Sequence, residues 1–150
     1  MVANLGVAGL VMIATFFGDW RNIVAAILLG VLAEATADTL SSEIGSAFGG
    51  PPFLLTTFQR VEPGTDGAVS LLGTLAGVFG AAAVAGVGIW AIGVSWEVGL
   101  CGFVGGVVGL GFDSLLGATV ERRGWLGNDL VNFSSTVCAG VVALGCAWVW

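Results

Sequence analysis

The chain has 150 residues, 57% of them hydrophobic and 9% charged, with a mean hydropathy of +1.02, where an ordinary soluble domain is about 25% charged. Its net charge of −6 comes from ten acids against four arginines, with no lysine and no histidine, which excludes a histidine base, a Ser-His-Asp triad, a P-loop lysine and His-ligated zinc. What fits is an all-α, polytopic transmembrane helical bundle: at about 20 residues per span there is room for roughly four to six spans, and for no separate soluble domain.

Apolar segments at 2–17, 22–37, 68–94, 98–120 and 133–150 predict about five spans. The start carries neither a basic n-region nor a small-residue cleavage site, so the first segment is expected to be inserted and kept rather than removed as a signal peptide. A tight turn at 18–21, a long loop at 40–67, a short connection at 95–97 and a loop at 121–132 separate the segments. If all five span, the two longer loops share a membrane face that holds Arg60, Arg122 and Arg123, against Arg21 on the other. The positive-inside rule then makes this an integral membrane protein with those loops in the cytoplasm. Trp20, Trp96, Trp125, Trp148 and Trp150 fall near segment ends, where interfacial tryptophans belong.

Glycine makes up 26 of the 150 residues and lies inside the apolar segments rather than between them. Pairs four apart, Gly73/Gly77, Gly102/Gly106 and Gly105/Gly109, predict close helix packing, because glycine lets backbones approach where lipid removes the hydrophobic force between helices. Cys101, Cys138 and Cys146 are an odd, scattered set in apolar runs and read as small buried hydrophobes rather than disulfides or metal ligands.

In a chain this poor in charge each acid near a span needs a reason, since a carboxylate at mid-bilayer costs about 2.5–3.5 kcal/mol even on insertion scales. Glu34 and Asp38 are four apart on the second segment and share a helical face. Asp38 opens a run that continues through Ser42 and Glu43, and carboxylate and hydroxyl oxygens are the ligands of a hard cation such as Mg²⁺. On the fourth segment Asp113, Gly117 and Glu121 form one stripe. Asp113 follows Asp38 by 75 positions, each acid is followed by a hydroxyl residue and then leucine, and both segments run toward the same membrane face. The two acids are therefore expected at one depth, facing each other.

The long loop supplies further polar groups. Gly45, Gly49, Gly50, Pro51 and Pro52 break the helix, and Thr57 and Arg60 follow with donors. Pro63-Gly64 and Asp66-Gly67 are turn signals, after which the third helix begins with free backbone N–H groups, a natural anion site, with Ser70 and Thr74 on its first turns. A plain turn with an N-cap is the alternative use of the same residues.

The pattern Asp38-x-x-Ser41-Ser42-Glu43-x-Gly45, then Thr57 and the run from Val61-Glu62-Pro63-Gly64-Thr65-Asp66-Gly67 through Ser70 and Gly73-Thr74, then Gly111-Phe112-Asp113-Ser114-x-x-Gly117, then Asn128-Asp129-x-Val131-Asn132, resembles the integral-membrane family of transmembrane protein 19 and plant phytyl-phosphate kinase (domain-of-unknown-function family 92). That family is distantly similar to dolichol kinase and CDP-diacylglycerol synthase. The resemblance covers most of the chain from Ala3-Asn4 onward and implies a CTP-dependent prenyl-phosphate kinase. By motif position it puts Asp38, Ser42 and Glu43 in an acid-serine motif, and Gly67, Ser70 and Thr74 in a glycine-serine motif. A third group holds Asp113, Asn128, Asp129 and Asn132. The family's usual spans and basic segment ahead of Ala3-Asn4 are not in this sequence, so residues 1–150 are expected to form one integral-membrane domain without those N-terminal spans.

The resulting expectation is Mg²⁺-dependent phosphoryl transfer from a nucleoside triphosphate, CTP favoured, to an isoprenoid lipid phosphate such as phytyl or geranylgeranyl phosphate. Metal ligands would be Asp38, Glu43, Asp113 and Asp129, and catalytic residues Asp38, Asp113 and Arg60. Nucleotide and phosphate would be held by Ser42, Thr57, Gly64, Gly67, Ser70, Thr74, Arg122, Asn128 and Asn132. Membrane lipids and a second copy of the chain are expected partners; nucleic acid is not. The alternatives are a membrane cytidylyltransferase, a polyprenol kinase, or a cation- or proton-coupled transporter using Glu34, Asp38 and Asp113 as a relay.

Overall fold

Proline-free runs of alanine, valine, leucine and glycine leave the helix as the way to satisfy every backbone N–H and C=O in lipid. The computed structural model describes residues 2–14 and 21–150 and contains five helices among them. These are α1 (Val2–Ala14), α2 (Arg21–Phe48), α3 (Leu71–Val87), α4 (Trp96–Leu116) and α5 (Asn128–Ala147). The last four, with the wide π-type turns that prolong α3 through Ile92 and α4 through Glu121, are long and apolar enough to cross a membrane. A two-stranded antiparallel ribbon, β1 (Phe53–Leu54) with β2 (Ala68–Val69), pairs Phe53 with Val69 and Leu54 with Ala68. The tight turn expected at 18–21 and the interfacial position expected for Trp20 lie outside the described residues, save Arg21.

Helix α2 is the axis of the bundle and touches every other helix. Glycine explains how closely. A Cβ on Gly77 would meet the Ala37 carbonyl oxygen at 2.9 Å, and one on Gly73 the Ser41 carbonyl oxygen at 2.6 Å, so α3 runs antiparallel to α2 with almost no side chain between them. Gly102 lies on Leu29 and Gly106 on Ala33, so α4 runs parallel to α2. Gly105 sits on Ala139 and Ala143 and Gly109 on Ser135 and Ala139, while Gly30 lies on Ala139 and Ala143 and Glu34 on Ser135, so α5 runs antiparallel to both. All three expected glycine pairs are buried at such seams. The outer surface carries large apolar side chains, among them Leu75, Phe79 and Trp90, as a lipid-facing surface should.

Helix α2 continues eleven residues beyond the apolar segment that predicts it, so Asp38, Ser42 and Glu43 are helical and the loop begins only at Gly49. The polar stretch stays helical because its hydroxyls bond back to the helix itself: Thr39 Oγ1 donates to the Ala35 carbonyl at 2.9 Å and Ser42 Oγ to the Thr39 carbonyl at 3.1 Å. Likewise α5 starts five residues before its apolar segment, at Asn128. Trp96, Trp125, Trp148 and Trp150 are exposed near helix ends, and the Trp96 and Trp150 rings meet edge to face at 6.2 Å.

Candidate functional site

The C-terminal half of α2, the start of α3, the end of α4 and the start of α5 meet at one end of the bundle, under the 49–70 loop. Between them lies a cavity of about 360 Å³. Asp38, Ser42 and Glu43 line it from α2, Asp113 from α4, and Asn128 and Asn132 from α5. Gly64, Gly67 and Ser70 line it from the loop. Asp38 and Asp113 thus border one cavity, because their helices run parallel and carry them to the same end.

The loop wall is built by backbone constraints. Thr65 N–H and Oγ1 both donate to the Glu62 carbonyl, at 3.2 and 2.7 Å, and Ala68 N–H donates to the Thr65 carbonyl at 3.0 Å. Gly64 and Gly67 have φ of 84° and 68°, a region open to glycine at no steric cost. Gly67 also presses its backbone onto Gly117 and Ala118 in the wide turn after α4, so loop and helix end form one wall.

Ser70 is the N-cap of α3: its Oγ accepts the Gly73 N–H at 3.1 Å. That cap occupies one of the N–H groups expected to be free for an anion. Thr74, on the next turn, is exposed and donates its hydroxyl to the Ser70 carbonyl at 3.0 Å, outside the cavity lining.

Four more expected site residues also fall outside the lining. Thr57 is exposed in the loop, where its Oγ1 accepts the Gln59 N–H at 3.4 Å. Arg60 is exposed where the chain bridges back to Phe53, and Arg122 is exposed just past the wide turn. Asp129 is exposed on the first turn of α5. Thr57 and Arg60 stay out because the loop folds on itself through its own backbone bonds, Arg122 because its N–H closes the wide turn onto the Gly117 carbonyl at 3.3 Å, and Asp129 because α5 turns Asn128 and Asn132, one helical turn apart, toward the cavity. Arg123 lies over the Trp125 ring at 5.3 Å.

Two groups of residues stand outside the site expected from the sequence. Asp66, Ser114 and Glu121, named there only as parts of a turn, a pattern and a stripe, also line the cavity. Beneath it, Ser135 Oγ lies 2.7 Å from Glu34 Oε1 and 3.0 Å from Asp113 Oδ1, and Thr136 Oγ1 lies 2.7 Å from Glu34 Oε2. Glu34 is 1% exposed, and both hydroxyl residues are fully buried. The signal was the uninterrupted Ser134-Ser135-Thr136 inside an apolar span, one turn after Asn132. Cys101 and Cys146, far apart in sequence, come together with their sulfurs 2.7 Å apart.

The donor set suits a hard cation with phosphate. Carboxylates and hydroxyls from α2, α4 and the loop border a polar cavity, with the amides of Asn128 and Asn132 from α5. Among the described residues no three acids converge tightly enough to cage a metal ion by themselves.

The sequence matches the family described as integral membrane protein DUF92 over residues 1–140. It is 41% identical over 133 residues to an uncharacterized membrane protein of Methanocaldococcus jannaschii, covering 89% of this chain and 54% of that protein. To the chloroplastic protein VTE6 of Arabidopsis thaliana it is 38% identical over 112 residues, covering 72% of this chain and 33% of VTE6. To protein PGR of the same plant it is 31% identical over 156 residues, covering 83% of this chain and 52% of PGR. The chain therefore spans about half or less of the length of these relatives, and no solved structure matches it. With the family model covering nearly the whole chain and helices built to cross a bilayer, the protein belongs to the DUF92 family of integral membrane proteins.

Proposed function

We propose that the cavity binds a nucleoside triphosphate, CTP favoured, and transfers its terminal phosphoryl group to a prenyl monophosphate. The observation that carries the reading is the pair Asp38 and Asp113, brought by two parallel helices to one polar cavity walled by the Gly64–Ser70 stretch. Family membership and the motif resemblance to plant phytyl-phosphate kinase support the transferase class.

Asp38 and Asp113 would hold Mg²⁺, with Glu43 at the cavity rim and Asp129 farther out as candidate outer ligands. Bound there, the ion would offset charge on the nucleotide phosphates. Ser42, Asn128 and Asn132 offer hydrogen bonds to nucleotide or phosphate oxygens, and the Gly64 and Gly67 backbone admits a phosphate closely because no Cβ intervenes. A phosphate oxygen of the lipid attacks the γ-phosphorus as the bond to the β,γ-bridging oxygen breaks. The products are a prenyl diphosphate and the nucleoside diphosphate. The attacking oxygen is already anionic, so the step needs no strong base, in keeping with a chain without histidine or lysine. Arg60 and Arg122 are exposed beside this end of the bundle, and they complete the proposal as side chains that reach in over bound phosphates. The three loop arginines at the cavity end, Arg60, Arg122 and Arg123, against Arg21 at the other, favour a cytoplasmic cavity.

Cytidylyl transfer or phosphorylation of a polyprenol would use the same cavity and change only the phosphorus or oxygen that reacts. A relay across the membrane is disfavoured, because past Glu34 the core is an apolar cluster of Ala26, Leu29, Val98 and Cys101.

The test is purified protein in detergent or liposomes with CTP or ATP, Mg²⁺ and phytyl or geranylgeranyl monophosphate, with the lipid products identified by mass spectrometry. A prenyl diphosphate with release of the nucleoside diphosphate is expected. A CDP-linked lipid would replace the kinase with a cytidylyltransferase, and absence of nucleotide binding would end both readings. Asp38→Asn and Asp113→Asn are each expected to remove Mg²⁺-dependent nucleotide binding while leaving the helix content unchanged.

A further inference from the structure

The cavity acids account for Asp38 and Asp113, but not for the most buried acid among the described residues. Glu34 lies one helical turn below Asp38, away from the cavity, and is 1% exposed. Nothing in the proposed transfer touches it. A carboxyl at that depth is costly in a membrane helix, and such a residue is retained for a function and with a partner.

Its partners identify the function. Both carboxyl oxygens are engaged, Oε1 with Ser135 Oγ and Oε2 with Thr136 Oγ1, each at 2.7 Å. Adjacent residues on a helix point about 100° apart, so two hydroxyls that meet one carboxyl leave it a single orientation. Ser135 Oγ then stands 3.0 Å from Asp113 Oδ1. Gly109 admits this arrangement, because a Cβ there would meet Glu34 Cγ at 2.6 Å and the Ser135 carbonyl oxygen at 3.1 Å. Three helices thus converge on one hydroxyl: α2 through Glu34, α4 through Asp113 and α5 through Ser135 itself.

We propose that Glu34 is a positioning residue: acting through Ser135, it sets the orientation of the Asp113 carboxylate in the cavity. The consequence for metal binding rests on the function proposed above; the positioning itself does not. Each hydroxyl has one proton, and both also lie within bonding distance of the Asn132 carbonyl oxygen, Ser135 at 3.0 Å and Thr136 at 2.6 Å. The link therefore runs through a Glu34 carboxyl that carries a proton: its O–H donates to Ser135 Oγ, and the Ser135 proton goes to Asp113 Oδ1. Without Glu34 the Ser135 proton is free to turn to the Asn132 carbonyl, an acceptor already in place in its own helix. Asp113 then loses the hydrogen bond that orients it. Asn132 is a cavity residue, so the same bonds tie the orientation of the acid to the wall beside it.

The experiment compares Glu34→Gln, which keeps the size and hydrogen-bonding capacity of the side chain, with Glu34→Leu, which keeps only its bulk, and with Ser135→Ala, which cuts the link. Protein carrying ¹³C-labelled aspartate is studied by solid-state NMR in liposomes, with the Asp113 carboxyl resonance assigned by its loss in Asp113→Asn. In parallel, Mn²⁺ binding in the presence of CTP is followed by electron paramagnetic resonance, and thermal unfolding is recorded for every variant. The Asp113 resonance is expected to stay near its native position in Glu34→Gln and to move in both Glu34→Leu and Ser135→Ala. Mn²⁺ affinity should fall about 10–100-fold in the latter two, the cost usual for a partner behind a metal ligand, and recover in Glu34→Gln.

An Asp113 resonance unmoved in Glu34→Leu or in Ser135→Ala overturns the proposal. So does equal displacement in Glu34→Gln and Glu34→Leu, since it would mean that bulk alone does not hold the site and hydrogen bonding does not restore it. If Glu34→Leu does not fold, Glu34→Ala takes its place, because Ser135→Ala removes a direct neighbour of Asp113 whatever Glu34 does. If the native protein binds no Mn²⁺ with CTP, the proposed function fails, and the carboxyl resonances still decide the positioning.

Discussion

Gly67 and Ala118 pack backbone against backbone, with no room for a side chain on Gly67, and a Cβ on the neighbouring Gly117 would stand 2.7 Å from the Gly67 nitrogen. The loop over the cavity is therefore seated on the end of α4 and cannot be lifted away without opening the wall. Gly67→Ala meets both this contact and a left-handed φ of 68°, while Gly64→Ala meets only a φ of 84°, with nothing within 4 Å of the added carbon. Gly64→Ala is expected to cost about 1–3 kcal/mol of backbone strain. Gly67→Ala adds about 1–3 kcal/mol of overpacking to a similar strain and should detach the loop. Thermal unfolding of the two variants, with proteolysis of the loop as a second readout, checks the order.

The glycine seams make a sharper pair. At Gly109 an added methyl group would meet Glu34 Cγ at 2.6 Å and Ala139 Cβ at 2.8 Å, whereas at Gly111, two residues on, it would meet nothing within 4 Å. Gly109→Ala should destabilise the bundle by about 1–3 kcal/mol. Gly111→Ala should be neutral or stabilise by up to about 1 kcal/mol, through helix propensity alone. Unfolding by titration with sodium dodecyl sulfate measures both.

Removal of the α3 cap has a separate signature. Ser70→Ala deletes the acceptor of the Gly73 N–H and is expected to cost about 0.5–2 kcal/mol, with amide exchange faster at the start of α3 and unchanged in α5. Exchange mass spectrometry resolves the two helices.

Cysteine chemistry tests the register of α4 on α5. With 2.7 Å between the sulfurs of Cys101 and Cys146, mild oxidation should join these two residues within one chain and leave Cys138 as the free thiol. Peptide mapping without reductant identifies the pair. A bridge that includes Cys138 would mean that the helices are rotated or shifted from this arrangement.

The acid-bearing helix ends were legible in the sequence because charge is so rare in this chain that Asp38 and Asp113 stand out, and a parallel α2 and α4 follow from counting spans. The extent of α2 was not. Its polar end, with Thr39, Ser41, Ser42 and Glu43, has the composition of a loop, and only the return of hydroxyls to carbonyls one turn back reveals a helix. Thr57, Arg60 and Arg122 carry the right chemistry for phosphate, but in this structure they are exposed outside the cavity, since composition does not say which way a loop folds on itself. Ser135 and Thr136 were hidden for the opposite reason: small hydroxyl residues in an apolar span read as packing until their acid partner is seen. The Cys101–Cys146 contact depends on helix rotation, which spacing along the chain does not encode.

The hydroxyl pair that holds Glu34 sits 101 and 102 residues downstream of it. At a synthesis rate of about 5–20 residues per second, Glu34 is made about 5–20 s before the residues that complete its most buried bond exist. For that interval Glu34 has neither Ser135 nor Thr136, and the half-made bundle must either keep the carboxyl near water or hold α2 short of its final depth. Closure of the bundle is thus a late event in biogenesis, timed by the arrival of α5.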